Sequence, residues 1–127
     1  MKISDAEWLV IRVVWGIGSA GAAEVIETLI PQTGWSHRTV RTLLNRLVKK
    51  GVLTARLEGD RNIYRPGIEQ SQCVRRESRS FLDKVFGGDA GEMLVHFIEH
   101  EDISPAQIRQ LKTLLNAKQL KQKEELK

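Results

Sequence analysis

The stretch from Ser36 to Gly51 constrains this chain most. Ser36 is a good helix N-cap and Gly51 a good stop. Between them Val40, Leu43, Leu44, Leu47 and Val48 fall at i, i+3, i+4, i+7 and i+8, the spacing of one buried stripe. The remaining faces carry Arg38, Arg41, Arg46, Lys49 and Lys50, and residues 35–50 contain no acid. A helix of this kind must bury its aliphatic side on other elements and leave its cationic side free.

The flanking text supplies those elements. Ser4-Asp5-Ala6-Glu7 reads as a capping box, with a helix running to Trp15 and stopping at Gly16. Between Trp8 and Trp15 only Arg12 is polar, so this helix is expected to be covered on several sides. A second helix is predicted over Ala22 to Ile30, ended by Pro31, with Pro31 to Trp35 as a five-residue connection. After Gly51, Val52 to Glu58 and Arg61 to Arg65 flank Gly59-Asp60, the pattern of a β-hairpin, closed by Pro66-Gly67. From Ile68 the text is helical. One helix is expected over Glu69 to Phe86, broken at Gly87-Gly88, with Cys73 or Val74 and Val85 on its apolar side. Another spans Ala90 to His100. The last begins at Ser104-Pro105-Ala106-Gln107, with a lysine-rich tail after Ala117 expected to fray. The expected fold is mainly α with a small β-hairpin. It comprises an N-terminal winged helix-turn-helix domain, residues 1–67, and a C-terminal helical dimerisation region, residues 68–127. Phe81, Leu82, Met93, Leu94, Phe97, Ile98, Ile108, Leu111, Leu114 and Leu115 are more aliphatic surface than about sixty residues bury alone, so they are expected to need a partner.

Charge distribution narrows the function. The net charge is +4. Residues 1–66 hold 10 Lys+Arg against 6 Asp+Glu, and residues 67–127 hold 10 against 10, so the whole excess lies in the first half. That asymmetry points to a polyanion, nucleic acid first and an anionic membrane surface second. The membrane reading is weaker because the aliphatic stripe is needed for the core. With 41% hydrophobic and 28% charged residues the composition is that of a globular chain. No apolar run approaches the roughly 18 residues that span a bilayer, so no membrane insertion is expected, and no secretory signal stands at the N-terminus. A single cysteine, Cys73, excludes an intrachain disulfide framework and fits a reducing cytoplasm.

Helix–turn–helix followed by a basic hairpin is the layout of a winged-helix DNA reader. The major groove admits one α-helix, read mainly by its N-terminal residues. On the third helix the outward residues are His37, Arg38, Thr39, Arg41 and Thr42. An arginine can grip guanine O6 and N7, and a threonine methyl can touch that of thymine. Asn45, Arg46 and Lys50 lie farther along and are expected on phosphates. Arg61 at the hairpin tip, with Arg56 and Arg65 behind it, is expected to reach the flanking backbone or the minor groove. Ser36 and the first free amides of this helix suit a phosphate. The bland alternative is that these charges only solvate surface helices.

These residues resemble the BlaI/MecI/CopY family of bacterial repressors, which control β-lactam resistance or copper export. The matching text is Ile3-Ser4-Asp5-Ala6-Glu7-Trp8 with Val13, Val14 and Trp15, then Trp35-Ser36, Thr39-Val40, Thr42-Leu43-Leu44 and Arg46-Leu47-Val48-Lys49-Lys50-Gly51, with Tyr64 and Pro66 in the wing. Ser80 to Gly88 and Leu94-Val95-His96-Phe97 look like the β-lactam branch. The resemblance implies a homodimer on a pseudo-palindromic double-stranded operator, one major groove per half-site, that blocks transcription of a β-lactam-resistance-type operon.

The resemblance also implies induction by a membrane-bound metalloprotease sensor that cuts between an Asn and a Phe in the fifth helix. Here the matching bond is His96-Phe97, so the Phe stands and the Asn does not. The copper branch ends in C-x-C motifs, whereas this chain ends Lys121-Gln122-Lys123-Glu124-Glu125-Leu126-Lys127. A metal- or small-molecule-responsive regulator of similar fold is the second reading. A remoter one is a zinc peptidase, because His96-Phe97-Ile98-Glu99-His100 reads H-x-x-E-H, yet only 27 residues follow in which to build a further ligand and a cleft. Cys73 is an oxidant-sensor candidate if Arg75 or Arg76 stabilises its thiolate, against simple packing. Trp8, Trp15 and Trp35 read as core. No Ser/His/Asp set, glycine-rich phosphate loop, resident metal or other cofactor is indicated, and no catalytic residue is assigned.

Overall fold

The computed structural model describes residues 2–126. Two compact units divide between residues 81 and 82. The first contains three helices, α1 (Asp5–Ile17), α2 (Ala22–Thr33) and α3 (His37–Lys49), and three strands, β1 (Ala20–Gly21), β2 (Leu53–Glu58) and β3 (Arg61–Pro66). α4 (Gln70–Phe86) runs across the division, and α5 (Ala90–His100) and α6 (Pro105–Glu125) belong to the second unit. The first unit therefore extends past Gly67, because Cys73 of α4 is fully buried in its core.

α1 begins as its sequence requires. The Ser4 side chain accepts from the Glu7 amide at 3.2 Å, and the Glu7 carboxylate accepts from the Ser4 amide at 2.9 Å. The helix passes Gly16 and ends at Gly18, whose N–H donates to the Val14 carbonyl. Val10, Ile11 and Val14 are fully buried, the central post of the core. Trp8 and Trp15, seven apart and so on one face, meet edge to face with ring centroids 5.8 Å apart. Together with Trp35 they pack on the core.

Pro31 does not end α2, contrary to the expectation. The helix continues to Thr33 and is closed by Gly34 in the left-handed region at φ 71°, whose N–H reaches the Ile30 carbonyl. Proline in a last turn removes one ladder bond but breaks no following turn. Side chains bind neighbouring carbonyls here: Thr28 donates to Glu24 O and Thr33 to Leu29 O. The connection to α3 is accordingly shorter than five residues and holds the two helices in a tight turn.

α3 is as expected. Ser36 caps it by accepting from the Thr39 amide at 3.1 Å, and Val40, Leu43, Leu44 and Leu47 are buried. Full burial of one such leucine is worth about 2–3 kcal/mol, so this stripe fixes which way the cationic side points. β2 and β3 form an antiparallel hairpin in register from Leu53↔Pro66 to Glu58↔Arg61. Gly59, at φ 67°, takes the first central position of its two-residue turn, a conformation that L side chains rarely adopt. The two-residue β1 was not expected. It pairs with β3 through Ala20↔Tyr64 and Gly21↔Ile63, giving the order β1-β3-β2 and tying the start of α2 to the hairpin.

In the second unit α5 is capped by Asp89 and α6 by a Ser104–Gln107 capping box. α6 does not fray after Ala117 but runs to Glu125, built of good helix formers. Neither α5 nor α6 contains a buried residue. Among the described residues no helix is long and apolar enough to cross a membrane.

Candidate nucleic-acid interface

The buried stripe of α3 turns Ser36, His37, Arg38, Thr39, Arg41, Thr42, Asn45 and Arg46 outward, and all eight are exposed. They do not form one uniform surface. Arg38, Thr39, Thr42 and Arg46, with the edge of Leu43, frame an open groove of about 320 Å³ along the helix. Its polar lining has two guanidinium groups and two hydroxyls and no carboxylate. The Ser36 hydroxyl lies 3.0 Å from that of Thr39, so the cap orients the first threonine of this row.

Arg41 belongs to a second groove, of about 360 Å³, where it faces Arg61, Asp60, Asn62 and Tyr64 of the hairpin and Gly21, Ala22 and Ala23 at the start of α2. The Arg61 guanidinium lies over Gly21, where an added Cβ would stand 3.4 Å from Nη1. β1 pairing with β3 creates this groove, because it brings the α2 N-terminus beside the wing. Sequence reasoning had missed Gly21, Ala22, Ala23, Asn62 and the groove-lining role of Tyr64. The signal available was the small-residue run Ala20 to Ala23, which lets a long side chain lie close to the backbone.

Two cations sit differently from the expectation. Lys50, expected on a phosphate, is engaged within the chain: its Nζ lies 2.6 Å from Glu7 Oε1 and donates to the Lys2 carbonyl at 2.7 Å. Glu7 is 2% exposed, and a buried carboxylate needs this partner. Burial pushes the Glu7 carboxyl up, but hydrogen bonds from Lys50 and Ser4 and the Lys50 charge outweigh it and hold it below its ordinary value. Arg65 is engaged with Glu58, Nη2 to Oε1 3.0 Å, in an exposed pair on the hairpin. Arg56 stays exposed on β2 and lines neither groove.

The remaining sequence candidates lie elsewhere. Cys73 is fully buried. Burial pushes its thiol pKa up, Glu77 adds to this and Arg76 opposes it, the reverse of an activated thiolate. His96 and His100 stack at 4.3 Å on α5, but among the described residues no three His, Cys, Asp or Glu side chains come together as a metal cluster. Of the expected dimerisation residues, Leu82 is already covered within the chain, at 7% exposure, and so is not part of an open face. Met93 and Leu111 are half-buried, and Phe81, Leu94, Phe97, Ile98, Ile108, Leu114 and Leu115 are exposed.

Comparison with known proteins adds to this geometry. The family model described as penicillinase repressor matches residues 3–117. A penicillinase repressor of Bacillus licheniformis is 36% identical over 123 residues, 97% of this chain and 96% of that protein. The methicillin resistance regulatory protein MecI of Mammaliicoccus sciuri is 35% identical over 117 residues, 92% of this chain and 95% of that one. Among solved structures, the monomeric form of B. licheniformis BlaI in complex with the blaP half-operator aligns with a TM-score of 0.51 at 42% identity, covering 56% of this chain and 87% of that one. The winged arrangement of α1–α3 with the β-hairpin, and the likeness along nearly the whole chain, lead to one conclusion: the chain belongs to the penicillinase repressor family.

Proposed function

We propose that this protein is a DNA-binding transcriptional repressor that acts by occupying an operator rather than by catalysis. The observation that carries the reading is the outward side of α3, where Arg38, Thr39, Thr42 and Arg46 frame a groove free of acids. A duplex repels carboxylates along its contact surface and draws guanidinium groups to phosphates and guanine edges. α3 enters the major groove, the Arg38 row meets base edges, and Arg41 with Arg61 grips the flanking backbone. The related BlaI, solved in complex with its half-operator, supports DNA as the partner.

The repressor works as a homodimer on a palindromic operator of a β-lactam-resistance-type operon. Support comes from the exposed apolar side chains of the second unit, among them Leu94 at 42%, Ile98 at 49% and Leu115 at 53%, a density that a soluble chain rarely leaves bare. Two-fold symmetry then sets half-sites about one helical turn, roughly 34 Å, apart. Relief is by a membrane-bound metalloprotease sensor at His96-Phe97, which lies inside α5. That cut detaches Phe97, Ile98 and all of α6, and with them most of the proposed dimer face.

Selection of bound fragments from a random duplex library tests the reading. Recovery of a two-fold symmetric sequence, bound with an affinity that falls steeply with salt, is the expected outcome. Recovery of no common sequence would remove the operator from the account.

A further inference from the structure

We infer that His96 and His100 form a two-imidazole site for a divalent ion of borderline softness, such as Zn²⁺, Ni²⁺ or Cu²⁺, on the exposed side of α5. The two residues are one helical turn apart and both are exposed. Their rings stack with centroids 4.3 Å apart and planes at 25°. A tetrahedral ion holding two nitrogens at about 2.0–2.1 Å needs them roughly 3.4 Å apart, so a tilt of the rings closes the pair on one ion.

The proton placement favours ligation. His100 Nδ1 lies 2.9 Å from the His96 carbonyl oxygen. A carbonyl only accepts, so the hydrogen bond assigns the N–H to Nδ1 and leaves the Nε2 lone pair free. An imidazole that ligates a metal through one nitrogen while its other N–H is held by a backbone carbonyl is the usual arrangement in metal sites. Phe86, whose ring centroid is 6.0 Å from that of His96, and Phe97, at 6.2 Å, limit the swing of that ring. Glu92 and Glu99 on the same helix, and Glu101 and Asp102 just beyond it, make the surroundings favourable to a cation. No third protein ligand joins the pair among the described residues, so water completes the shell. Imidazole donors select late divalent ions over Mg²⁺ and Ca²⁺. A bound ion ties two successive turns of α5 together and stiffens the segment that holds the His96-Phe97 bond. The site stands independently of the DNA-binding reading.

Calorimetric titration of the full chain with Zn²⁺, and separately with Ni²⁺, tests the site. One ion per chain is expected. His96→Ala and His100→Ala should each weaken binding at least about tenfold, because a single imidazole remains, while His37→Ala leaves it unchanged. Hydrogen exchange at residues 97–101 should slow in Zn²⁺ for the wild type and not for His100→Ala. Wild-type affinity in either α5 variant, or no heat up to about 1 mM ion, a binding free energy near −4 kcal/mol, would overturn the proposal.

Discussion

The Glu7 carboxylate and the Lys50 ammonium stand 2.6 Å apart, joining the first turn of α1 to the C-cap of α3. The same Glu7 oxygen accepts from the Ser4 amide, and the same ammonium donates to the Lys2 carbonyl. One pair therefore caps α1, holds the N-terminal arm and fixes the end of the cationic helix. Removing the cation strands a charge that is 2% exposed. Lys50→Met is expected to cost about 1–3 kcal/mol in chemical denaturation. Because Lys50 is committed to Glu7, the slope of log affinity for DNA against log salt should stay unchanged. A phosphate contact would reduce that slope by about one.

The same pair sets a pH dependence. The folded pKa of Glu7 lies below its ordinary value. Stability from the pair is thus fully present above the unfolded carboxylate pKa, about 4.3, and is lost as pH falls through the lower folded value. Melting temperature measured from pH 7 down to about pH 3 should drop less steeply for Glu7→Gln than for the wild type, because that variant has no proton to take up here.

The two grooves separate two kinds of arginine. Arg38 lines the groove on α3, and Arg61 faces Arg41 in the groove against the hairpin. Arg38→Ala should cost about 1–3 kcal/mol on the selected operator and less on random duplex, as for a side chain that reads a base. Arg61→Ala should weaken both duplexes alike and lower the salt slope by about one. Fluorescence anisotropy on the two duplexes reads both effects, and equal losses for Arg38→Ala would reassign it to the backbone.

Gly67 closes the hairpin where the chain has no room for a side chain. A Cβ there would stand 2.6 Å from the Gly51 carbonyl oxygen and 3.2 Å from the Leu53 carbonyl carbon. Both are backbone atoms, and the Gly67 N–H is held by Val52 O at 2.8 Å, so nothing yields cheaply. Gly67→Ala should destabilise the first unit by about 1–3 kcal/mol, seen as a lower denaturation midpoint with unchanged slope.

The apolar face of the second unit predicts a difference between two leucines. Leu115 is 53% exposed and Leu82 is 7% exposed. Leu115→Asp should shift sedimentation at micromolar concentration toward monomer with the helical circular dichroism kept. Leu82→Ala should instead cost about 2–4 kcal/mol of folding stability. A monomeric wild type would contradict the homodimer.

Much of this was legible from local chemistry. The Ser4–Glu7 box, the Ser36 cap, the valine–leucine stripe of α3 and the Gly59-Asp60 turn each declare themselves within a few residues, and each forms. Pro31 misled because its sequence signal is the same in a helix end and in a last turn; Gly34, three residues on, decides the end. Gly16 and Gly18 both offered a stop, and it is Gly18, at φ 92° with its N–H on the Val14 carbonyl, that ends the helix. β1 has two small residues with no strand pattern of their own, so only β3 across from it makes it a strand. The Lys50–Glu7 pair was hidden for the same reason: the two residues lie 43 apart in sequence. The contacts that the text hides are those between distant segments.

Methylation interference at guanine N7 decides whether α3 lies in the major groove with Arg38 against base edges. N7 faces the major groove and is the acceptor an arginine grips. Methylating guanines within each selected half-site should block wild-type binding, and Arg38→Ala should lose this sensitivity at one guanine per half-site. Binding indifferent to N7 methylation throughout the operator would contradict it.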